Sequence, residues 1–258
     1  MTDNLAPGLR YQFDGLTFEL ALQANRRDRF PYPLSYRREF AEYRADDERR
    51  RGEAGMRLRR IYDEQMHAMF QVLLEPQARV EIEGVHGPQS RVLRVYVGIA
   101  GPIAVLAAQQ PGPTHAHGGD IVVSTHRSTG IAADITARLP RLHAGGQSRF
   151  DGRRGDLDTP VYARHPTQLS PTEHLRRFFH RPRVGGGEIT VYPGFQIDAR
   201  PTDDGRAFCW LDYPDDGRYL LQNHDSENFT VIPGGPEELV RQIGTRIDIV
   251  SRPSMTAW

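Results

Sequence analysis

The residues best placed to hold a metal are His115 and His117, two apart, with Asp120 close behind. Histidines at i and i+2 of a strand project to one face, and imidazole with carboxylate suits a transition ion. Their setting, Gly-Pro-Thr-His-Ala-His-Gly-Gly, reads instead as a solvated loop. No His-Glu-x-x-His pattern or cysteine pair accompanies it. A metal-dependent enzyme built on these three residues is therefore a rival reading. Nucleophilic chemistry has less support, because there is no Gly-x-Ser-x-Gly elbow. Cys209, the single cysteine, lies in Phe208-Cys209-Trp210, inside an expected strand, which suits a structural thiol. Gly185-Gly186-Gly187 leads into a strand and lacks the helix start of a phosphate cradle. Asp212, Asp215, Asp216 and Asp225 mostly lie in or beside turns, where aspartate has a local structural job. Every one of the 33 Lys+Arg residues is arginine. That excludes a GKS/GKT phosphate loop, a lysine Schiff base and a kinase-type strand lysine.

The elements that would position these groups follow from periodicity. The chain has 258 residues, enough for one large domain with a genuine core. Its 33 basic and 33 acidic residues balance, which points away from nucleic acid. No run of about 18 apolar residues suggests a membrane span. The start, Met1 to Arg10, lacks the pattern of a signal peptide, so a cytoplasmic location is expected.

Leu16 to Ala24 is ambiguous between strand and helix. Asp46 to Arg60 reads as an exposed charged helix; its runs Arg49-Arg50-Arg51 and Arg57, Arg59, Arg60 are diluted by acids. Met66, Met69, Phe70, Leu73 and Leu74 have helical spacing. Strands are expected at Arg79 to Val85, Arg91 to Val97, Ile103 to Ala108 and Asp120 to Thr125, then a helix from Ser128 to Leu139. Residues 140–158, rich in Gly, Arg and Asp, read as a surface linker. Ser170-Pro171-Thr172-Glu173 is a helix start with a capping box. Strands follow at Glu188 to Tyr192, Phe195 to Arg200, Ala207 to Tyr213, Arg218 to Gln222 and Asn228 to Ile232. Asp203-Asp204-Gly205 and Asp215-Asp216-Gly217 are hairpin turns between them. Pro236 to Ile249 is the closing helix. The halves, about 16–139 and 160–249, run through similar elements in the same order. A single α+β domain is expected, with one antiparallel sheet and helices packed on it.

One ordered set of residues goes further. Trp210-Leu211-Asp212, Asp216-Gly217-Arg218-Tyr219-Leu220, Phe229-Thr230-Val231-Ile232-Pro233-Gly234 and the closing helix resemble the EspG family of ESX (type VII) secretion-associated proteins. Pro31-Tyr32-Pro33-Leu34 resembles that family's Pro-x-Pro-Leu segment, and Asp47-Glu48-Arg49 stands where it has a charged helix start. The resemblance spans roughly Leu16 to Ile249.

It implies a central antiparallel sheet flanked by two helical groups with pseudo-twofold halves. It implies a cytosolic chaperone, monomeric or weakly dimeric, that needs no cofactor or metal and has no catalytic residues. The partner is a PE–PPE-type helical heterodimer, whose apolar tip the chaperone covers and keeps export-competent. The binding face is the sheet with the C-terminal helical group and a neighbouring hairpin loop. Placed by region, the candidate contacts are Phe178, Phe179, Arg176 and Arg181 on the second-half helix, His86 and Gln89 in the loop His86 to Ser90, and Trp210. Phe179 is the expected outward member of the phenylalanine pair. A non-chaperone regulatory component of the secretion locus is the other rival.

Overall fold

In a computed structural model, which describes residues 5–38, 42–158, 170–195 and 202–252, ten strands form one antiparallel sheet. β1 (Arg10–Phe13) leads into α1 (Gly15–Ala24), α2 (Arg44–Ile61) and α3 (Glu64–Leu74). A meander follows: β2 (Ala78–His86), β3 (Arg91–Ala100), β4 (Ile103–Thr114) and β5 (His117–Arg127). The short helix α4 (Ile131–Thr136) closes this half. The second half repeats the plan. β6 (Phe150–Arg153) precedes α5 (Gly155–Asp158) and α6 (Pro171–His180). β7 (Gly185–Pro193), β8 (Arg206–Tyr213), β9 (Gly217–Asn223) and β10 (Asn228–Pro233) are its meander, and α7 (Pro236–Ser251) closes it.

Across the sheet the order is β1-β5-β4-β3-β2-β7-β8-β9-β10-β6. The halves therefore meet at β2 and β7, and each half's first strand returns to pair with its last. At the junction Ile82 faces Ile189, so Glu81-Ile82-Glu83 runs against Glu188-Ile189-Thr190. This is the α+β, pseudo-twofold architecture that the resemblance implies.

Local chemistry starts the helices. The ambiguous segment at Leu16 is helical, because the Asp14 carboxylate accepts the Thr17 N–H at 2.8 Å and caps it. Asp63 does the same for α3 through the Met66 N–H. Ser170 and Glu173 form a reciprocal capping box with Pro171 in the first turn of α6. The helix expected from Ser128 is shorter: a 3-10 turn at Ser128–Gly130 precedes α4, yet Leu139 is still buried. Of the strand expected at Phe195 to Arg200, residues 196–200 lie outside the described residues; Phe195 follows β7 without joining it.

The sheet has unequal faces. On one, a single apolar cluster crosses the junction, with Val80, Ile82, Ile189, Phe208 and Trp210 packed under Ile135 of α4 and Leu239 and Ile243 of α7. On the other there are two clusters. Phe18 and Phe70 cover the first half, and Leu175 and Phe178 cover Tyr213, Tyr219 and Phe229 of the second. On that face β2 and β7 join neither cluster; they carry Arg79, Glu81, Glu83, Glu188, Thr190 and Tyr192 instead.

The stretch read as a linker is built into the sheet. Within it, β6 pairs with β10 as an edge strand, and Ala144 bridges to Arg218. The recognisable motif in β8 and β9 holds it. Arg218 makes a bidentate ion pair with Asp212 at 2.6 and 2.8 Å, and both are almost wholly buried. The same guanidinium donates to the Pro140 carbonyl at 2.9 Å. Its backbone donates to His143 O and accepts from the Gly145 N–H. Tyr219, next in the strand and on the opposite face, accepts from the Gln147 N–H and donates to Asp216. Two consecutive residues thus pin a segment that passes from one face to the other. Gly217 has φ +98°, and a Cβ there would meet His143 O at 2.6 Å.

Two stability measurements follow. Arg218→Met leaves Asp212 buried and uncompensated, so urea unfolding should show a loss of about 3–5 kcal/mol; Asp212→Leu/Arg218→Met together should recover part of it. Gly217→Val should cost about 2 kcal/mol or more, since it combines a disfavoured φ with the His143 contact. A loss under about half a kcal/mol would mean that the strap relaxes away from the turn.

Candidate functional site

The polar strip of β2 and β7 lies between the two helical groups, and part of it opens as a cleft of about 640 Å³. Tyr32, Glu83, Val85, Val184, Glu188 and Leu211 stand around Gly185-Gly186-Gly187. Alternation explains the set. Val80 and Ile82 face the shared cluster, so Glu81, Glu83 and Val85 point to the opposite side. Three large apolar side chains are left open here: Tyr32 (48% exposed), Val85 (36%) and Val184 (36%). The Tyr32 hydroxyl donates to Glu83 at 2.6 Å, which fixes the Pro-Tyr-Pro segment at the rim.

The β2–β3 hairpin forms one wall. Its turn uses Gly87 and Ser90 at positive φ, and the Gly87 N–H donates to Val184 O at 2.6 Å. The exposed His86 and Gln89 are thereby brought beside the link from α6 to β7. Deeper along the strip Arg79 and Glu81 form a buried ion pair at 2.8 Å, with the guanidinium over the Tyr192 ring. Burial raises the Glu81 pKa, against the lowering effect of Arg79. Cys209 also lines the cleft, and burial with the Glu188 charge pushes its thiol up to about 11, away from nucleophilic use.

Several candidate contacts have other positions. Trp210 is 1% exposed and lies on the opposite face of β8. Its ring spreads over Gly84 and Gly187, where a Cβ at Gly84 would come within 2.5 Å of it. It is a core residue that sets the backbone beneath the cleft, whose floor its ring edge lines. Phe178 is 1% exposed and packs against Phe150, Tyr213 and Tyr219, so it too is core. Arg181 is engaged internally, stacked 3.9 Å over Tyr213 and ion-paired with Asp216. Arg176 is half-buried on α6. Phe179 is half-buried, with its ring 5.6 Å from Phe229 of β10. β10 is three strands from β7, roughly 14 Å, so Phe179 stands apart from the cleft. The glycine triplet belongs to a central strand and not to a sheet edge.

The histidine cluster does not assemble. His117 bonds Thr114, Asp120 accepts from Gln12 of β1, and His115 sits in the exposed turn between β4 and β5. Among the described residues no three His, Cys, Asp or Glu side chains are grouped to hold a metal. Among them also, no helix is long and apolar enough to cross a membrane.

Comparison with known proteins agrees with this architecture. The model of the EspG family matches residues 14–245. The fold is similar to that of the Mycobacterium tuberculosis type VII secretion system chaperone EspG5, solved in complex with a PE25-PPE41 dimer. The TM-score is 0.60 at 16% identity, over 97% of this chain and 99% of that one. No curated protein sequence matches this chain.

The phenylalanine pair gives a direct check of the placement. Phe178→Ala should cost about 3–5 kcal/mol in chemical denaturation, as for other buried aromatics. Phe179→Ala should cost clearly less. Equal losses would place both rings in the core.

Proposed function

We propose that this chain, which belongs to the EspG family, is a cytoplasmic chaperone of a type VII (ESX) secretion system that binds a PE–PPE-type helical heterodimer. It works by covering surface and not by catalysis. A helical partner with an apolar tip aggregates unless that tip is shielded. The cleft over β2 and β7 offers what such a tip needs: open apolar side chains at Tyr32, Val85 and Val184, ringed by polar groups. The family match over residues 14–245 is the observation that carries this reading. EspG5, with the same fold, is bound to a PE25-PPE41 dimer in its solved complex. The hairpin at His86 and Gln89 extends the surface on one side.

The test is co-expression with PE–PPE pairs from the same genome. Wild type should capture one of them and keep it soluble. Val184→Glu, at an exposed position, should fold normally and lose capture, a change of about 2 kcal/mol or more. His115→Ala/His117→Ala should capture as wild type does. A folded Val184→Glu that captures normally would remove the cleft from the site.

A further inference from the structure

We propose that the cleft selects a partner tip carrying a basic side chain among its apolar residues, received between Glu83 and Glu188. The inference rests on the cleft being the partner site. Glu83 of β2 and Glu188 of β7 are register partners on the central ladder, and both line the cleft. Like charges directly opposite in a sheet repel, and sequences usually avoid them.

Here the repulsion is only partly relieved. Glu83 accepts the Tyr32 hydroxyl and lies 3.5 Å from Arg94 Nε, but that guanidinium donates its hydrogen bond to the His115 carbonyl at 2.6 Å. Glu188 has only neutral partners, the Thr190 hydroxyl at 3.0 Å and the Cys209 thiol at 3.9 Å. Among the described residues it has no ion pair, and Arg183 at the rim pairs with neither carboxylate. Neighbouring groups report the same negative field. The Tyr32 phenol is raised by burial first, then by Glu83 and Glu188. The Cys209 thiol is raised by burial and then by Glu188.

The surroundings state what the occupant must be. The exposed Val85 and Val184 flank the two acids, so a purely polar ligand would leave them uncovered. A helical tip with apolar residues and one arginine or lysine satisfies both demands. Arginine suits the pair better, since its planar fork presents donors to two carboxylates at once. The acids would also reject tips that carry an acid at the same place, which separates one client from another.

The experiment compares Glu83→Gln/Glu188→Gln with Val184→Glu, using the PE–PPE heterodimer that wild type captures. Kd is measured at about 50 and about 300 mM NaCl, since screening weakens exposed charge pairs. The glutamine pair should bind about tenfold more weakly and lose most of its salt dependence. Its thermal midpoint should be unchanged or higher, because the repulsion is gone. Replacing the tip's basic residue with glutamine should weaken wild type and leave the glutamine pair unaffected. If the glutamine pair binds as wild type or tighter while Val184→Glu does not bind, the cleft is the site but is blind to charge, and the inference fails. If Val184→Glu also binds normally, the site reading itself has failed.

Discussion

The ion pair of Asp212 and Arg218 is the constraint around which the second half is arranged. Two charges removed from water are costly unless geometry and further hydrogen bonds compensate them. The bidentate contact supplies the geometry, and the Pro140 carbonyl uses a further donor of the guanidinium. Apolar residues would fill this volume at lower cost, but they would not hold residues 140–147. With Gly217 giving room for His143 and Tyr219 meeting Gln147, the pair ties the crossing chain to both faces of the sheet.

This also explains why some of the molecule was legible in its sequence and some was not. Helix α3, the capping box of α6 and the turn Asp215-Asp216-Gly217 between β8 and β9 are local events, so spacing alone revealed them. The Asp…Gly-Arg-Tyr pattern was recognisable as a family signature, but its work is done on residues some seventy positions earlier. The strap was misread for the same reason. Its fixings are hydrogen bonds from its backbone to Arg218 and Tyr219 and the room that Gly217 leaves for His143, none of which leaves an apolar periodicity. The burial of Trp210 is equally non-local, since the glycines that receive its ring lie on two other strands.

The cleft was hidden by distance. Glu83 and Glu188 become neighbours only when β2 pairs with β7, the one ladder that joins the halves. Duplication has a consequence at this seam. The face under α4 and α7 is apolar right across it, so the halves share a core there. On the other face each half keeps its own helical cover, and of the strip between them Arg79, Glu81 and Thr190 are buried while the end at Glu83, Val85 and Val184 stays open. That open end has no packing duty, which leaves its side chains available for recognition.

The two outermost strands, β1 and β6, are each four residues long. A long sheet normally ends in an open ladder of unpaired N–H and C=O groups, a template for adding foreign strands. Here each half folds its first few residues back to cap its own last strand, and both margins end in very short ribbons. Short margins leave little backbone for a neighbouring chain to zip onto, so an intruding strand would find only four residues to pair with at either side.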